Sequence, residues 1–506
     1  MRVWRHGVRL CVCLALLILA IRAFPRLEAP TPKSPLSFSH KLVEVVVHTA
    51  ATEEATATKA DSEEADSSCE GRRIFMHELP SSFNTDLLAK CNRGLADWID
   101  FCDHWLNEGF GKRIEESSSS SFPHWYATNN YLLEVIFHRR MVTYPCRTLI
   151  PSKADAFFIP YYGGLEALEY LYGEKKHLSD TQGASLINWL KQNATEMWSR
   201  YNGADHFMVL GRTSWDFFRQ NESSWGTKLL QQPELASVTA LVLEKMPWKA
   251  AVQEAVPYPT SFHPPSHAAL QEWMDKVRNI NRTALFSFVG APRPGKPGDI
   301  RMELIEQCNA SARCTFTDCT GISCGKNPQV VLSAFMDADF CLQPRGDTPT
   351  RRSAFDSMIA GCIPIFFHKD SAYTQYKWHL PGDSESYSVF IDERDIQRGM
   401  KVEDTLKKFT QEQIVSLRER VISLLPNIVY LNVSSPGEVS DIPDAFNLSV
   451  NGMAEKVNSW KVKQHSCPHC FLERRRMEGA QVHRQRGDAT VKGRVNHDSN
   501  HSQQQM

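Results

Sequence analysis

The chain has 506 residues, 42% of them hydrophobic, which is enough apolar content for the cores of about two or three domains. Its 57 lysines and arginines against 58 acidic residues leave a formal charge of −1, so no global field favours nucleic acid or an acidic surface. Any anion site has to be a local cluster of arginine.

At the N-terminus Arg2, Arg5 and Arg9 precede an apolar run from Leu10 to Ile21, and Arg22 and Arg26 follow it. The run is short against the roughly 20 residues that usually span a bilayer, which keeps a cleavable signal peptide open. No clear small-x-small cleavage site follows, and thin early secretory membranes tolerate shorter spans. The reading is a cytoplasmic tail and signal-anchor at 1–24, a single-pass type II anchor with the remainder luminal. Residues 25–71, rich in Pro, Thr, Ala, Ser and Glu, cannot bury enough apolar surface to fold and read as a disordered stem. Ser117 to Ser121 reads as a surface loop.

Short apolar strands at Arg73 to His77, Ala154 to Pro160, His206 to Leu210 and Ala240 to Leu243 alternate with helical stretches at Asn129 to Met141 and Gly183 to Tyr201. That alternation predicts a parallel α/β sheet in a first Rossmann-like domain over 72–270. Prolines between Pro257 and Pro265 mark a crossover. Leu285 to Gly290 opens a second such domain over 280–465, continued by strands near 340, 363 and 388 and finished by helices at 401–425 and roughly 451–464. Residues 473–506 are polar and read as a disordered tail.

Cysteines and sequons fit a luminal location. Setting aside Cys11 and Cys13 in the apolar run leaves twelve of the 14 cysteines, an even number in an oxidising compartment. Cys308, Cys314, Cys319 and Cys324 are spaced unlike paired zinc ligands, so disulfides are preferred to a metal, without assigned partners. Cys467 and Cys470 form a CxxC pair for which a disulfide is preferred to a redox or zinc motif. Asn193, Asn221, Asn281, Asn309, Asn432, Asn447 and Asn500 head N-glycosylation sequons.

The segment from Ala338 to Phe367 says most about chemistry. Phe340 to Leu342 ends a buried strand, and Pro344, Arg345, Gly346 and Asp347 form a basic loop. Thr348 is placed to cap the next helix, with Pro349 in its first turn. Arg351, Arg352 and Asp356 then lie on that helix, Ala354, Phe355, Met358 and Ile359 cover its buried side, and Gly361 stops it before a second strand. Guanidinium forks and free N–H groups of this kind suit a diphosphate, with a carboxylate one turn on for ribose hydroxyls. An internal Arg352–Asp356 pair on an ordinary helix is the bland alternative.

That segment, PRGDTPTRRSAFDSMIAGCIPIFF, resembles the donor-binding motif of the exostosin-like glycosyltransferases of family 47, in the plant branch of xyloglucan galactosyltransferases. RIFMHELPSSFN, ATNNYLLEVIFHRRM, ADAFFIPYYGGLEAL, ADHFMVLGRTSWDF, VPYPTSFHP and LFSFVGAPRPG extend the likeness from about Arg73 to about Pro426. The resemblance implies a GT-B fold of two Rossmann-like domains facing a cleft and inverting transfer from a UDP-sugar. It also implies UDP-galactose as donor, xylosyl side chains of xyloglucan as acceptor, and residence in the Golgi membrane, with other wall glycosyltransferases as possible partners. Galacturonosyl or arabinosyl transfer to a related wall polysaccharide is the nearer alternative, since Arg293 and Lys296 leave room for an acidic sugar. An inactive scaffold or glycan-binding protein is the alternative of another class.

Donor contacts are expected from Arg293 in the Gly/Pro loop, Arg301 on the next helix, Arg345, Arg351, Arg352 and Ser353, with Asp356 toward the ribose where the wider family carries Glu. The arginines would offset the charge of the leaving diphosphate. No DxD pair stands at a strand end where a metal would be held, Asp337 and Asp339 preceding a strand instead, so transfer is expected to need no metal and no cofactor. An acceptor hydroxyl needs a base, for which Glu78, His77 and Asp216 follow strand ends, where α/β folds place their sites. Each has a plain alternative: a turn cap for His77 or Glu78, a pair with Arg212 for Asp216. For acceptor platforms the candidates are Tyr161, Tyr162 and Trp215, with Trp125 and Tyr126 behind them.

Overall fold

Short apolar runs that end in polar loops become two sheets in which every paired strand is parallel. The computed structural model describes residues 69–114, 123–221, 223–247, 252–320, 324, 327–433 and 443–466. The anchor at 1–24, the stem up to residue 68, Ser117 to Ser121, Cys467, Cys470, Asn500 and the tail at 473–506 lie outside the described residues. Among the described residues no helix is long and apolar enough to cross a membrane.

The first sheet is built from β1 (Ile74–Met76), β2 (Arg147–Thr148), β3 (Ala156–Ile159), β4 (His206–Leu210), β5 (Thr239–Val242) and β6 (Gln253–Ala255), in the order β2-β1-β3-β4-β5-β6. The second contains β7 (Ala284–Gly290), β8 (Cys314–Asp318), β9 (Ala338–Gln343), β10 (Ile363–Phe366) and β11 (Val389–Phe390), ordered β11-β10-β9-β7-β8. Strands β3, β4 and β5 are buried along their whole length, as parallel strands covered on both faces must be. The two-sheet α/β organisation expected of a GT-B fold is present. The edge strands β2 and β6 carry little apolar signal, and the sequence reading passed over both.

Helices α1 (Leu133–Val142), α2 (Gly163–Leu171), α3 (Ala184–Asn193) and α4 (Thr195–Tyr201) connect the first sheet, and α5 (His267–Arg278) leads into the second. The predicted helix from Gly183 to Tyr201 is two helices, because Ala194 leaves the helical region with φ −123° and ψ 26°. In the second half α6 (Arg301–Asn309), α7 (Pro328–Met336), α8 (Arg352–Ile359) and α9 (Gln411–Ser423) cover the sheet, and α10 (Ala445–Ser466) follows. Helix α10 begins on the second half, where His379 Nε2 lies 3.1 Å from the Ser449 hydroxyl, and its C-terminal part reaches onto the first. Lys456 Nζ pairs with Glu254 at 2.7 Å, Asn458 donates to the Gly71 carbonyl at 3.0 Å and Lys461 donates to the Asp155 carbonyl at 2.7 Å, all of them first-half groups.

One hydrophobic cluster crosses from half to half. Ile74, Phe137 and Phe158 share it with Phe355, Tyr376, Tyr430 and Phe446. Burying one such aromatic side chain stabilises by about 1.5–3 kcal/mol. Polar ties lie beside the cluster: Arg140 Nη1 donates to Asp444 at 2.6 Å, and the Tyr430 hydroxyl donates to the Pro257 carbonyl at 2.8 Å. Disulfides join Cys69 to Cys146, Cys91 to Cys102, Cys308 to Cys314, Cys319 to Cys324 and Cys341 to Cys362. The four cysteines weighed as a zinc site are therefore oxidised in two pairs and hold no thiolate for a metal.

Candidate active site

The loop from Pro344 to Arg351, between β9 and α8, faces the C-terminal ends of the first sheet. Thr348 and Pro349 do not start the helix, contrary to expectation. Helix α8 begins at Arg352, and Arg351 occupies the cap position without a side-chain cap. The Thr348 hydroxyl donates instead to Glu244 at 2.6 Å, and the Thr350 N–H donates to the same carboxylate at 2.9 Å. Glu244 follows β5 in the opposite half and is wholly buried; Tyr258 donates to it as well, at 2.5 Å. Burial pushes its carboxyl up to about 7 although all three donors favour the charged form. A carboxylate two residues beyond an apolar strand is the signal that picked out Glu78, and reading Leu241 to Lys245 the same way would have found it.

Beside this anchor four cations gather around two carboxylates. Arg293 Nη1 and Nη2 grip Asp347 at 2.9 and 3.0 Å, Lys296 pairs with the same carboxylate, and Arg351 Nη2 stands 3.8 Å from it. Arg301 Nε is 3.9 Å from Asp299, which also lies 3.8 Å from Arg293. Burial works against the Asp347 charge, yet the hydrogen bonds from Arg293 and Lys296 outweigh it and hold the carboxyl well below its usual range. Burial, with Arg351 and Arg293 close by, pulls Arg301 down to about 9, and burial followed by Arg293 lowers Arg351. Burial and neighbouring guanidiniums thus act in the same direction on Arg301 and Arg351. Among the described residues Arg301 Nε and Arg351 Nε and Nη2 are buried without hydrogen-bond partners. Guanidinium donors left without hydrogen bonds in this way suit an anion with several oxygens.

Arg351 lies directly against Gly346; a Cβ there would fall inside the guanidinium. The other expected donor residues divide. Arg345 is partly exposed and pairs with Glu393 at 2.9 Å. Ser353 donates to Gln343 at 2.7 Å, bracing the helix against its own strand. Arg352 does not join the anion receptor. Its Nη1 donates to the Thr128 carbonyl at 2.7 Å and its Nη2 to Ser261 at 2.6 Å, so it is a strut between halves. Asp356 stands 3.3 Å from Arg352 Nε, the internal pair weighed as the bland alternative, and burial raises its pKa against the pull of Arg352.

On the first sheet the base candidates separate as well. His77 does not face the cleft. Pleating turns it to the same sheet face as Phe75, its ring stacks on His206 at 5.1 Å, and burial followed by His206 takes its pKa down to about 3. Glu78 is exposed in the following loop. Asp216 accepts from Arg212 Nε and from Trp225 Nε1, each at 2.7 Å. Arg212 in turn lies over the Tyr131 ring at 4.4 Å, and Tyr131 is near enough to Arg351 to feel its charge. Asp216 is thus a partly buried carboxylate with each oxygen accepting one hydrogen bond.

The tyrosines chosen as acceptor platforms are core residues. Tyr161 is 2% exposed and donates to Glu166; Tyr162 is 1% exposed with its hydroxyl 2.9 Å from His138 Nδ1. Gly163 lies against the Tyr161 ring, and the two tyrosines point into different hydrophobic clusters. Trp125 packs against the Phe262 ring and meets Trp273 edge-on, and Tyr126 is buried beside it. Trp215 alone of the five is only half-buried. Another buried carboxylate that the sequence reading passed over, Glu134, accepts from the N–H groups of Gly164, Leu165 and Gly211 beyond β3 and β4. It therefore fills the anion position of the first half with a side chain of the protein itself.

Arginines gathered at the loop between a parallel strand and the following helix are chemically suited to a nucleoside diphosphate. Residues 68–406 match the model of the Exostosin GT47 domain. The chain belongs to the exostosin GT47 family. It is 42% identical over 394 residues to the Arabidopsis thaliana xyloglucan galactosyltransferase MUR3, a match covering 77% of this chain and 63% of that one. To the probable xyloglucan galactosyltransferase GT12 of the same plant it is 40% identical over 433 residues, with 83% of each chain covered. A xyloglucan-specific galacturonosyltransferase of A. thaliana is 38% identical over 394 residues, covering 77% of this chain and 58% of that protein. Among solved structures, S. aureus TarM with UDP bound covers 53% of this chain and 57% of its own at 9% identity and a TM-score of 0.27, a likeness too slight to bear on function. In this exostosin GT47 chain the matched region contains Glu244, Asp216 and the arginine receptor together.

Proposed function

We propose that this chain is an inverting glycosyltransferase that moves galactose from UDP-galactose to xylosyl side chains of xyloglucan in the Golgi lumen. The observation that carries the reading is the set of buried guanidinium donors on Arg301 and Arg351 that make no hydrogen bond, beside Arg293. They would take the donor diphosphate and, as the bond to the sugar breaks, the charge left on UDP. Charge of the same sign that a metal would bring is thus available from the protein, which supports transfer without one. Asp216 is the proposed base: the acceptor oxygen attacks the anomeric carbon as its proton passes to the carboxylate, and UDP leaves with the electron pair, inverting the centre. Asp356 is proposed to meet the ribose by giving up Arg352. A type II anchor at 1–24 would hold the site in the lumen, where the five disulfides form.

Galactose is favoured over galacturonate by one relationship. Arg293 and Lys296, the cations that could greet a sugar carboxylate, are both engaged on Asp347. The test is a donor screen with the full-length chain, a xylosylated glucan oligosaccharide and a panel of UDP-sugars, products being weighed by mass spectrometry. Gain of one hexose from UDP-galactose, with chelator present, is expected. Transfer from UDP-galacturonic acid alone would overturn the donor assignment, and UDP binding without any transfer would overturn the enzyme.

A further inference from the structure

On the first half, beyond Asp216, three aromatic rings follow one another at the surface. Trp98 meets Tyr172 edge-on at 5.2 Å, and Tyr172 meets Trp225 at 5.0 Å. All three are half-buried, so each keeps an edge or face to solvent while its other side rests on the core. They come from separate parts of the chain: the loop after Ala96, the end of α2, and the loop that returns to β5. At the inner end of the row stand Asp216, tied to Trp225 Nε1 at 2.7 Å, and Arg212, tied to Asp216. Arg212 is 1% exposed and its Nη1 has no hydrogen-bond partner among the described residues.

We propose that Trp98, Tyr172 and Trp225 form a ledge that binds a neutral, extended glycan and leads its acceptor hydroxyl to Asp216. The proposal rests on the transferase reading above and names the binding surface it needs. Sugar rings present C–H faces that lie against aromatic rings, and hydroxyl edges that need donors and acceptors; amphipathic aromatics beside a polar end supply both. Charge selects the class: Arg212 is closed into a pair with Asp216, so the ledge offers no net field for an anionic polymer. Length selects an oligosaccharide over a single sugar, since the rings are arranged in series. The row ends at Arg212, which covers Tyr131 at 4.4 Å on the side facing Arg351 and the donor receptor.

The test titrates full-length protein with a xylosylated glucan oligosaccharide and, separately, with UDP. Trp98→Ala and Trp225→Ala are each expected to weaken the oligosaccharide about tenfold, while UDP affinity is unchanged and Trp225→Phe, which keeps a ring face, retains most of the binding. Equal oligosaccharide affinity in the unaltered chain and both alanine variants would overturn the ledge. Should the alanine variants lose UDP as well, and so have misfolded, the unaltered chain decides. Saturating oligosaccharide is expected to slow N-bromosuccinimide oxidation of Trp98 and Trp225, and unchanged rates at both would overturn the proposal. A chain that binds oligosaccharide on this ledge yet transfers no sugar defeats the transferase reading and leaves the ledge standing; transfer with no effect at either tryptophan does the reverse.

Discussion

The backbone N–H of Thr350 donates to the Glu244 carboxylate at 2.9 Å, so the loop that presents Arg351 hangs from the opposite half of the molecule. With the Thr348 and Tyr258 hydroxyls on the same group, donor loop and acceptor half are aligned through one side chain.

Glu244 makes stability depend on pH. Its carboxyl is held up at about 7 against an ordinary 4.5. Between those values the unfolded chain has lost a proton that the folded chain keeps, so stability falls as pH rises from 4.5 toward 7 and levels above it, on the order of 3 kcal/mol at most. Glu244→Gln should flatten that slope, lowering stability by about 1–3 kcal/mol near pH 4.5 because one donor loses its acceptor, a deficit that closes as pH rises past 7. Tm measured across the range checks both. Glu134, held up to about 8, retains its own slope in the variant.

The arginines should differ sharply. Arg351→Lys removes the fork from a buried receptor, and UDP affinity should fall by about 10- to 100-fold, the worth of a charge-assisted hydrogen bond. Arg345→Ala removes a partly exposed group already paired with Glu393 and should cost no more than about fivefold. Calorimetric UDP titration of both variants would contradict this assignment if Arg345 mattered more.

Gly346→Ala places a methyl where the Arg351 guanidinium lies. The guanidinium has to swing away, so UDP affinity should fall nearly as far as in Arg351→Lys while circular dichroism and Tm stay close to the unaltered chain. Unchanged UDP binding would show that Arg351 does not hold the diphosphate.

Asp216→Asn retains a partner for Trp225 and loses the base. Transfer should fall by about 100-fold or more, within the range of general base catalysis, with UDP affinity unchanged. A variant that transfers at the normal rate would return the role to Glu78.

Tyr161→Phe tests the correction of the acceptor assignment. Glu166 loses a buried donor, which should cost about 1–3 kcal/mol of stability and leave the acceptor KM unaltered. A raised acceptor KM at unchanged stability would restore Tyr161 to the binding surface.

The alternation of apolar runs and helical stretches was enough to read the parallel strands β1, β3, β4, β5, β7, β9 and β10, since a strand buried on both faces has to be continuously apolar. It also located the arginine cluster, because a Gly/Pro loop between strand and helix is visible as composition. What sequence could not separate was Arg351 from Arg352, adjacent and chemically alike, one turned into the receptor and the other tied to Thr128 and Ser261. Nor could it tell that Tyr161 is buried: an aromatic at a strand end looks available until its neighbours close on the ring. Arg352 was settled by contacts far away in sequence, with Thr128 and Ser261, as the donor loop was by Glu244 with Thr350. Local pattern determines which elements form; the packing of one half on the other decides which side chains remain free to meet a ligand.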